Sequence, residues 1–381
     1  MLLEKDGLSE TLRRGQEAEH PAAASFAEVG VPEPMPGLSI TPEDMPTVSV
    51  LLPVHDGAAT LAAALDSLLT QTLRRIEIVV VDDGSIDGTP RILEQFARRD
   101  ARIRVLSPGR VGLVRALEAG LAACRGQYVA RMDADDCSLP RRLELQAAFL
   151  DANPGTGLVG CCVAFGGDRV RAAGYARHVD WVNGLLDPET IAVERFRESP
   201  FAHPAVMFRA ELPARYGGYR EGPFPEDYEL WLRWLDQGVR MARIPATLLV
   251  WNDSPHRLSR TDARYSTQAF YALKAGYLAR WLERHNPLHP EVWIIGAGRT
   301  SRLRAELLTH HGVRIAAYVD IDPRKIGKMV HGRRVFAREE LPGPGRLFAV
   351  SYVGSVGADR DIEAFLQSRG YAPGCDYLLA A

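Results

Sequence analysis

The stretch TVSVLLPVHDGAATLAAALDSLLTQTLRRIEIVVVDDGS, residues 47–85, decides the architecture. It opens with the apolar run VSVLLPV, passes through a segment whose Leu61, Leu65, Leu68 and Leu69 share one helical face, and returns to the apolar run IEIVVV. Strands that are apolar throughout, alternating with helices, indicate a parallel α/β sheet covered on both faces. The alternation continues with a helix from Thr89-Pro90, a strand over 102–106, a helix over 112–124 and a strand over 128–132. Each strand ends in a polar loop, reading PVHDG, DDGSIDG and DADD. Ligands of open α/β sheets bind beyond the carboxyl ends of the strands, so the chemistry is sought in these loops.

Upstream, residues 1–46 hold Ala, Glu and Pro without sustained periodicity and end in PEPMPGLSITPEDMP. Proline removes backbone donors and blocks helix, so a flexible N-terminal tail is expected. Downstream, the pattern is weakest over 155–220, where HPAVMF (203–208) reads as a strand. An amphipathic helix follows from Glu226 to Gln237, then strand-like MARIPATLLVW, then a long helix from about Thr261 to His285. Pro287 and Pro290 mark a boundary, after which a second α/β unit begins. The expected division is a tail over 1–46, a first α/β domain over 47–260, a linking helix over 261–288 and a second domain over 289–381.

With 46 Lys+Arg against 48 Asp+Glu, the net charge is −2, and a general nucleic-acid binder would need a basic excess. Only four of the basic residues are lysines (Lys5, Lys274, Lys325, Lys328), which reads as coding bias before it reads as a phosphate-binding surface. Five scattered cysteines lack zinc-site spacing, so a reduced, cytoplasmic chain is expected. No run approaches the roughly 18 apolar residues of a membrane span, which leaves peripheral contact at the inner face as the form a membrane role would take.

Three acidic constellations carry the candidate chemistry. Asp82-Asp83, directly after IEIVVV, can accept hydrogen bonds from a nucleobase or ribose, or simply form a turn with Gly84-Ser85. Asp133-Ala134-Asp135-Asp136 places three carboxylates in four residues, which repel unless a hard cation such as Mg²⁺ or Mn²⁺ neutralises them. The alternative is an acidic turn in which Asp136 or Ser138 caps the next helix. Glu226-Asp227 opens a helix, either as a dipole-favoured first turn or as a general base raised by its neighbour and by Phe224, Tyr228 and Trp231. His203 and His256 are histidines suited to metal or diphosphate, and Arg257 beside His256 adds fixed positive charge.

These segments, with VGLVRALEAGLAACRGQYVARMDADDCSLPRRLE and GGYREGPFPEDYELWLRWL, resemble the family 2 glycosyltransferases of GT-A fold over residues 47–260. The resemblance implies a nucleotide-diphosphate sugar donor, a divalent cation (Mn²⁺ or Mg²⁺), a saccharide or lipid-linked hydroxyl acceptor, and inversion in one displacement, in surface polysaccharide or glycan assembly. It implies donor binding by Pro53, His55, Asp82, Asp83 and Asp133, and metal binding by Asp135 and His256. It also implies Asp227 as catalytic base with Glu226 supporting it. Where the family has Tyr or Phe then Asn, this chain has His55-Asp56. Where the family has Asn-x-Gly, this chain has Gly109-Arg110-Val111-Gly112, so Arg110 is a candidate cation for the nucleotide.

The second unit reads EVWIIGAGRTSRLRAELLTHHGVRIAAYVDID from residue 291. A strand, Gly296-x-Gly298 at a helix start, and Asp320 22 positions later form a dinucleotide-type arrangement, with Ser301 at the third glycine position. The segment also resembles small Rossmann-like domains joined to sugar O-acyltransferases and sugar methyltransferases. The expected fold is therefore α/β, a GT-A nucleotide-diphospho-sugar transferase fold followed by a small Rossmann-like domain. Two other functions stay open: a non-catalytic nucleotide-sugar-binding regulator, and a bifunctional enzyme with an NAD(P)-using second domain.

Overall fold

The computed structural model describes residues 45–254 and 257–381. The expected tail lies outside them except for its last two residues, and so does His256. Met45–Ala381 cluster as one compact unit that contains two sheets.

The first sheet starts with β1 (Val48–Val54), α1 (Leu61–Leu69), β2 (Ile76–Asp82), α2 (Thr89–Arg99), β3 (Ile103–Leu106), α3 (Leu113–Ala123) and β4 (Tyr128–Arg131). Strands β3-β2-β1-β4 are parallel neighbours. Val48, Val50, Leu52 and Val54 of β1 face one apolar cluster, and Leu51 faces the other with Val81 and Val129. Both faces are dry, which is why the strand sequence shows no polar alternation.

Next come β5 (Cys137–Ser138), α4 (Arg142–Ala152), β6 (Thr156–Phe165), α5 (Ala173–Gly184), α6 (Pro188–Glu194), β7 (Val206–Arg209), α7 (Glu211–Tyr216), α8 (Glu226–Asp236) and β8 (Arg240–Trp251). They extend the sheet to the order β3-β2-β1-β4-β7-β6-β8-β5. The added half is mixed: β7 runs antiparallel to β4 and β6, and β6 runs parallel to β8. The parallel sheet expected from the alternation over residues 47–132 is present from β1 to β4, and the later strands make the sheet mixed. The strand expected over 203–208 begins only at Val206, because His203–Ala205 form a 3-10 turn in which Pro204 has no N–H to give a ladder.

The long helix expected from Thr261 is also corrected. The chain forms α9 (Leu258–Thr261), a 3-10 turn over Ala263–Tyr265, and then α10 (Thr267–His285). Asp262 caps the turn and Ser266 caps α10, so two side-chain acceptors divide what reads as one helix.

The second sheet contains β9 (Glu291–Ile295), α11 (Arg299–Thr309), β10 (Arg314–Asp320), β11 (Met329–Val330), β12 (Arg333–Ala337), β13 (Ala349–Ser351), α12 (Ala358–Ser368) and β14 (Tyr377–Leu379). Strands β12-β10-β9-β13-β14 are parallel, the 3-2-1-4-5 order of a doubly wound sheet, and β11 adds an antiparallel edge.

One apolar cluster joins the two sheets. It contains Phe196, Tyr228 and Leu232, the Ala275, Leu278, Ala279, Trp281 and Leu282 face of α10, and Val292, Ile294, Ala305 and Val350. Polar contacts reinforce it. Lys274, buried in α10, donates to the carbonyls of Arg197 (3.2 Å) and Ala380 (2.8 Å), while Arg197 pairs with Asp359 of α12. Among the described residues, no helix is long and apolar enough to cross a membrane.

Candidate active site

Parallel pairing places the ends of β2, β1 and β4 side by side. The Asp83 N–H donates to the Val54 carbonyl at 2.8 Å and the Met132 N–H to the Leu51 carbonyl at 3.1 Å. Pro53 is buried inside β1. Asp82 closes β2, and one of its oxygens accepts the Ser85 N–H at 3.0 Å. The carboxylate of Asp83 accepts from Arg110 Nη1 (2.6 Å) and from the N–H groups of Val111 (2.7 Å) and Gly112 (2.8 Å) ahead of α3. Negative charge at a helix start is favoured by the unpaired N–H groups there. Gly84 permits this closure, with φ of +68° and a would-be Cβ 2.7 Å from the Arg110 nitrogen. His55 Nδ1 donates to the Asp83 carbonyl at 2.9 Å. Of the residues expected to bind the donor, Pro53, His55, Asp82, Asp83 and Arg110 therefore share one loop region, where Arg110 is ion-paired to Asp83 while its side chain stays 59% exposed, and Asp133 lies in the acidic turn instead.

On the other side of β1, the acidic turn follows β4. Carboxylate oxygens of Asp133, Asp135 and Asp136 lie within 4.8 Å of one another. Asp133 accepts from the buried Arg131 guanidinium at 2.6 Å. One oxygen of Asp136 accepts the Asn252 N–H at 2.8 Å, and the other is buried with no hydrogen bond from the described residues. The helix-cap alternative is corrected here: α4 begins at Arg142, and Asp136 bonds to the end of β8 instead. Burial, then the Asp133 charge, push the Asp135 carboxyl up to about 6, and burial, then the charges of Asp133 and Asp135, hold the Asp136 carboxyl well above the ordinary carboxylate range. Arg257, whose guanidinium lies 4.2 Å from the Trp251 ring centroid, opposes both shifts. An unbonded buried carboxylate oxygen amid like charges is chemistry that suits a hard divalent cation.

The third constellation opens α8. Asp227 Oδ1 accepts the Tyr228 N–H at 2.7 Å, and its second oxygen takes no hydrogen bond from the described residues. Burial, then the Glu226 charge, lift the Asp227 carboxyl to about 8, with Asp133 adding to the rise and Arg131 opposing it. Glu226 is buried, and burial raises it too, opposed by the Tyr265 hydroxyl, which donates to its carboxylate.

Sequence reasoning passed over Arg131, Asn252 and Tyr265. Arg131 was visible as a charge inside an otherwise apolar strand, and Asn252 as the first polar residue after TLLVW. Tyr265 carried no such mark. His203 is a core residue: it meets the Tyr219 hydroxyl at 2.8 Å and the Trp231 ring edge, and burial holds it well below its usual range.

In the second sheet, Gly296 adopts φ of +104° and Gly298 precedes α11. Asp320 ends β10 with its carboxylate accepting from the N–H groups of Ala297 and Asp322 (each 2.9 Å) and from Lys325 (3.0 Å). Ser301 packs under the loop and donates to the Tyr352 carbonyl at 2.9 Å.

The family described as Glycosyl transferase family 2 matches residues 49–215. The putative glycosyltransferase EpsE of Bacillus subtilis is 32% identical over 227 residues, 58% of this chain and 78% of EpsE. The amylovoran biosynthesis glycosyltransferase AmsE of Erwinia amylovora is 31% identical over 53% of this chain and 74% of AmsE. The solved S. aureus TarS 1–349, in complex with UDP-GlcNAc, shares the fold at 18% identity, covering 69% of this chain and 71% of TarS 1–349, with a TM-score of 0.51. The chain belongs to glycosyl transferase family 2.

Proposed function

We propose that the protein moves a glycosyl group from a nucleotide-diphosphate sugar to a hydroxyl of a saccharide or lipid-linked acceptor, with inversion at the anomeric carbon, in polysaccharide or glycan assembly. The observation that carries this reading is the pairing of two unlike carboxylate groups: a three-Asp cluster with a buried oxygen, and a separate Asp227 with one oxygen, that take no hydrogen bond from the described residues. The named role of AmsE in amylovoran biosynthesis favours the polymer context, and the UDP-GlcNAc in TarS favours a nucleotide-sugar donor.

Asp135 and Asp136 would hold the divalent cation, with Asp133 held toward Arg131. A bound cation supplies positive charge against the leaving diphosphate. Arg257 adds a fixed charge of the same sign beside the cluster. Asp227 accepts the proton of the acceptor hydroxyl as that oxygen attacks the anomeric carbon and the bond to the diphosphate oxygen breaks. The Tyr228 N–H fixes the orientation of Asp227 from behind.

The test is transfer from a panel of UDP, GDP and dTDP sugars with and without Mn²⁺. Asp227→Asn is expected to lower turnover by about 10²–10⁴-fold while donor binding by calorimetry stays near that of the parent. Asp135→Ala is expected to weaken Mn²⁺-dependent donor binding at least about tenfold. Full turnover by Asp227→Asn would remove the base assignment, and an unchanged Mn²⁺ and donor titration of Asp135→Ala would remove the metal assignment.

A further inference from the structure

The first turn of α8 is held by Tyr265, and both lie beyond the stretch that matches the family, residues 49–215. Tyr265 lies in the 3-10 turn before α10, and its hydroxyl reaches both carboxylate oxygens of Glu226, at 2.8 and 2.6 Å. The turn is itself fixed. Asp262 accepts the Arg264 N–H (2.9 Å) and its guanidinium (2.7 Å), and the Tyr265 N–H donates to the Asp262 carbonyl (3.1 Å). Directly afterwards α10 begins, and its apolar face is packed against the second sheet.

We propose that Tyr265 is a positioning residue for the Glu226-Asp227 pair, and that the second sheet serves the transfer reaction by holding Tyr265 in place through α10. The inference rests on the reading of Asp227 as the base. A hydroxyl that donates to a carboxylate stabilises its charged form, so Tyr265 keeps the negative charge on Glu226. That charge, adjacent in sequence, makes Asp227 hold its proton more tightly and act as a stronger base. The two titrate as a pair. The other groups acting on the pair are Arg264 from the same turn, Arg131 from β4, Tyr219 from the loop before α8 and Asp133 from the acidic turn.

Tyr265→Phe keeps the ring and removes the hydroxyl. Glu226 then takes the proton more readily, its charge no longer burdens Asp227, and Asp227 ionises at lower pH as a weaker base. Turnover on the high-pH plateau is expected to fall on the order of tenfold, with the donor KM within about twofold. The acid limb of the kcat profile shifts to lower pH, so the ratio of variant to parent activity is higher at pH 6 than at pH 9. Glu226→Gln is expected to shift the limb the same way, and Tyr265→Phe adds no further shift on that background. A uniform loss at every pH, or limb shifts that simply add, would overturn the proposal. The base assignment is tested apart from this by Asp227→Asn: if that variant is inactive while Tyr265→Phe leaves the limb in place, only the role of Tyr265 falls.

Discussion

Asp227 is a carboxyl group that the fold holds above its ordinary range, and this has a consequence for stability as well as for rate. Because its folded pKa of about 8 exceeds the unfolded value of 3.8, the folded chain binds this proton more tightly. The contribution to stability is complete below about pH 4 and is lost as pH rises through 8. Asparagine carries no charge at any pH and escapes that loss. Asp227→Asn is therefore expected to melt about 1–2 °C above the parent at pH 8.5, the scale of ~1 kcal/mol in a chain of this size, with the difference vanishing near pH 4. Differential scanning calorimetry at the two pH values checks it, and equal midpoints at pH 8.5 would show that the site carries no such strain. The carboxylates of residues 83, 133, 135 and 227 stand out in the sequence because each lies in the turn after an apolar strand or in the first turn of a helix. What the chain did not reveal was occupancy: Asp83 is bonded to Arg110, Val111 and Gly112, whereas one Asp136 oxygen has no partner among the described residues.

At the scale of elements, α3, whose start places Val111 and Gly112 against Asp83, lies close against the sheet at Gly120, where a Cβ would collide with Leu51 and Val81. Two effects of opposite sign meet in Gly120→Ala. Helix propensity favours alanine by about 0.8–1.0 kcal/mol, and overpacking a filled core costs about 1–3 kcal/mol. Leu51 and Val81 are fully buried, so the clash is expected to prevail. Urea unfolding should show a lower midpoint with an unchanged slope, whereas a raised midpoint would mean the sheet can yield. The elements from β1 to β4 were legible because burial on both faces makes their strands apolar throughout. Strand β6 was missed: Gly157 and Gly160 interrupt its apolar run, and its partners β7 and β8 lie far along the chain. The 3-10 turn before α10 was missed because the helical spacing of apolar residues conceals Asp262 and Ser266, the caps that break it.

For the whole molecule, the shared cluster around α10 predicts that the two sheets unfold together. Leu278 is fully buried within it, and Leu278→Ala is expected to cost about 2–5 kcal/mol. Hydrogen exchange should then quicken equally in β1 and β9. Protection lost from β9 alone would mean that the second sheet opens independently. The sequence signalled a second α/β unit through the strand-Gly-x-Gly-helix run from residue 291 and a helix linking to it, but not that the apolar face of α10 would share a cluster with Tyr228 and Leu232 of α8, because helical spacing shows which residues share a face and not what that face meets. The buried Lys274 has a practical corollary. Three lysines fall within the described residues, and Lys274 is 3% exposed, which leaves Lys325 and Lys328, both between β10 and β11. Amine-directed reagents used for dye attachment or sensor-chip coupling would accordingly react, among these residues, at one corner of the second sheet, leaving the carboxylates of the first chemically untouched.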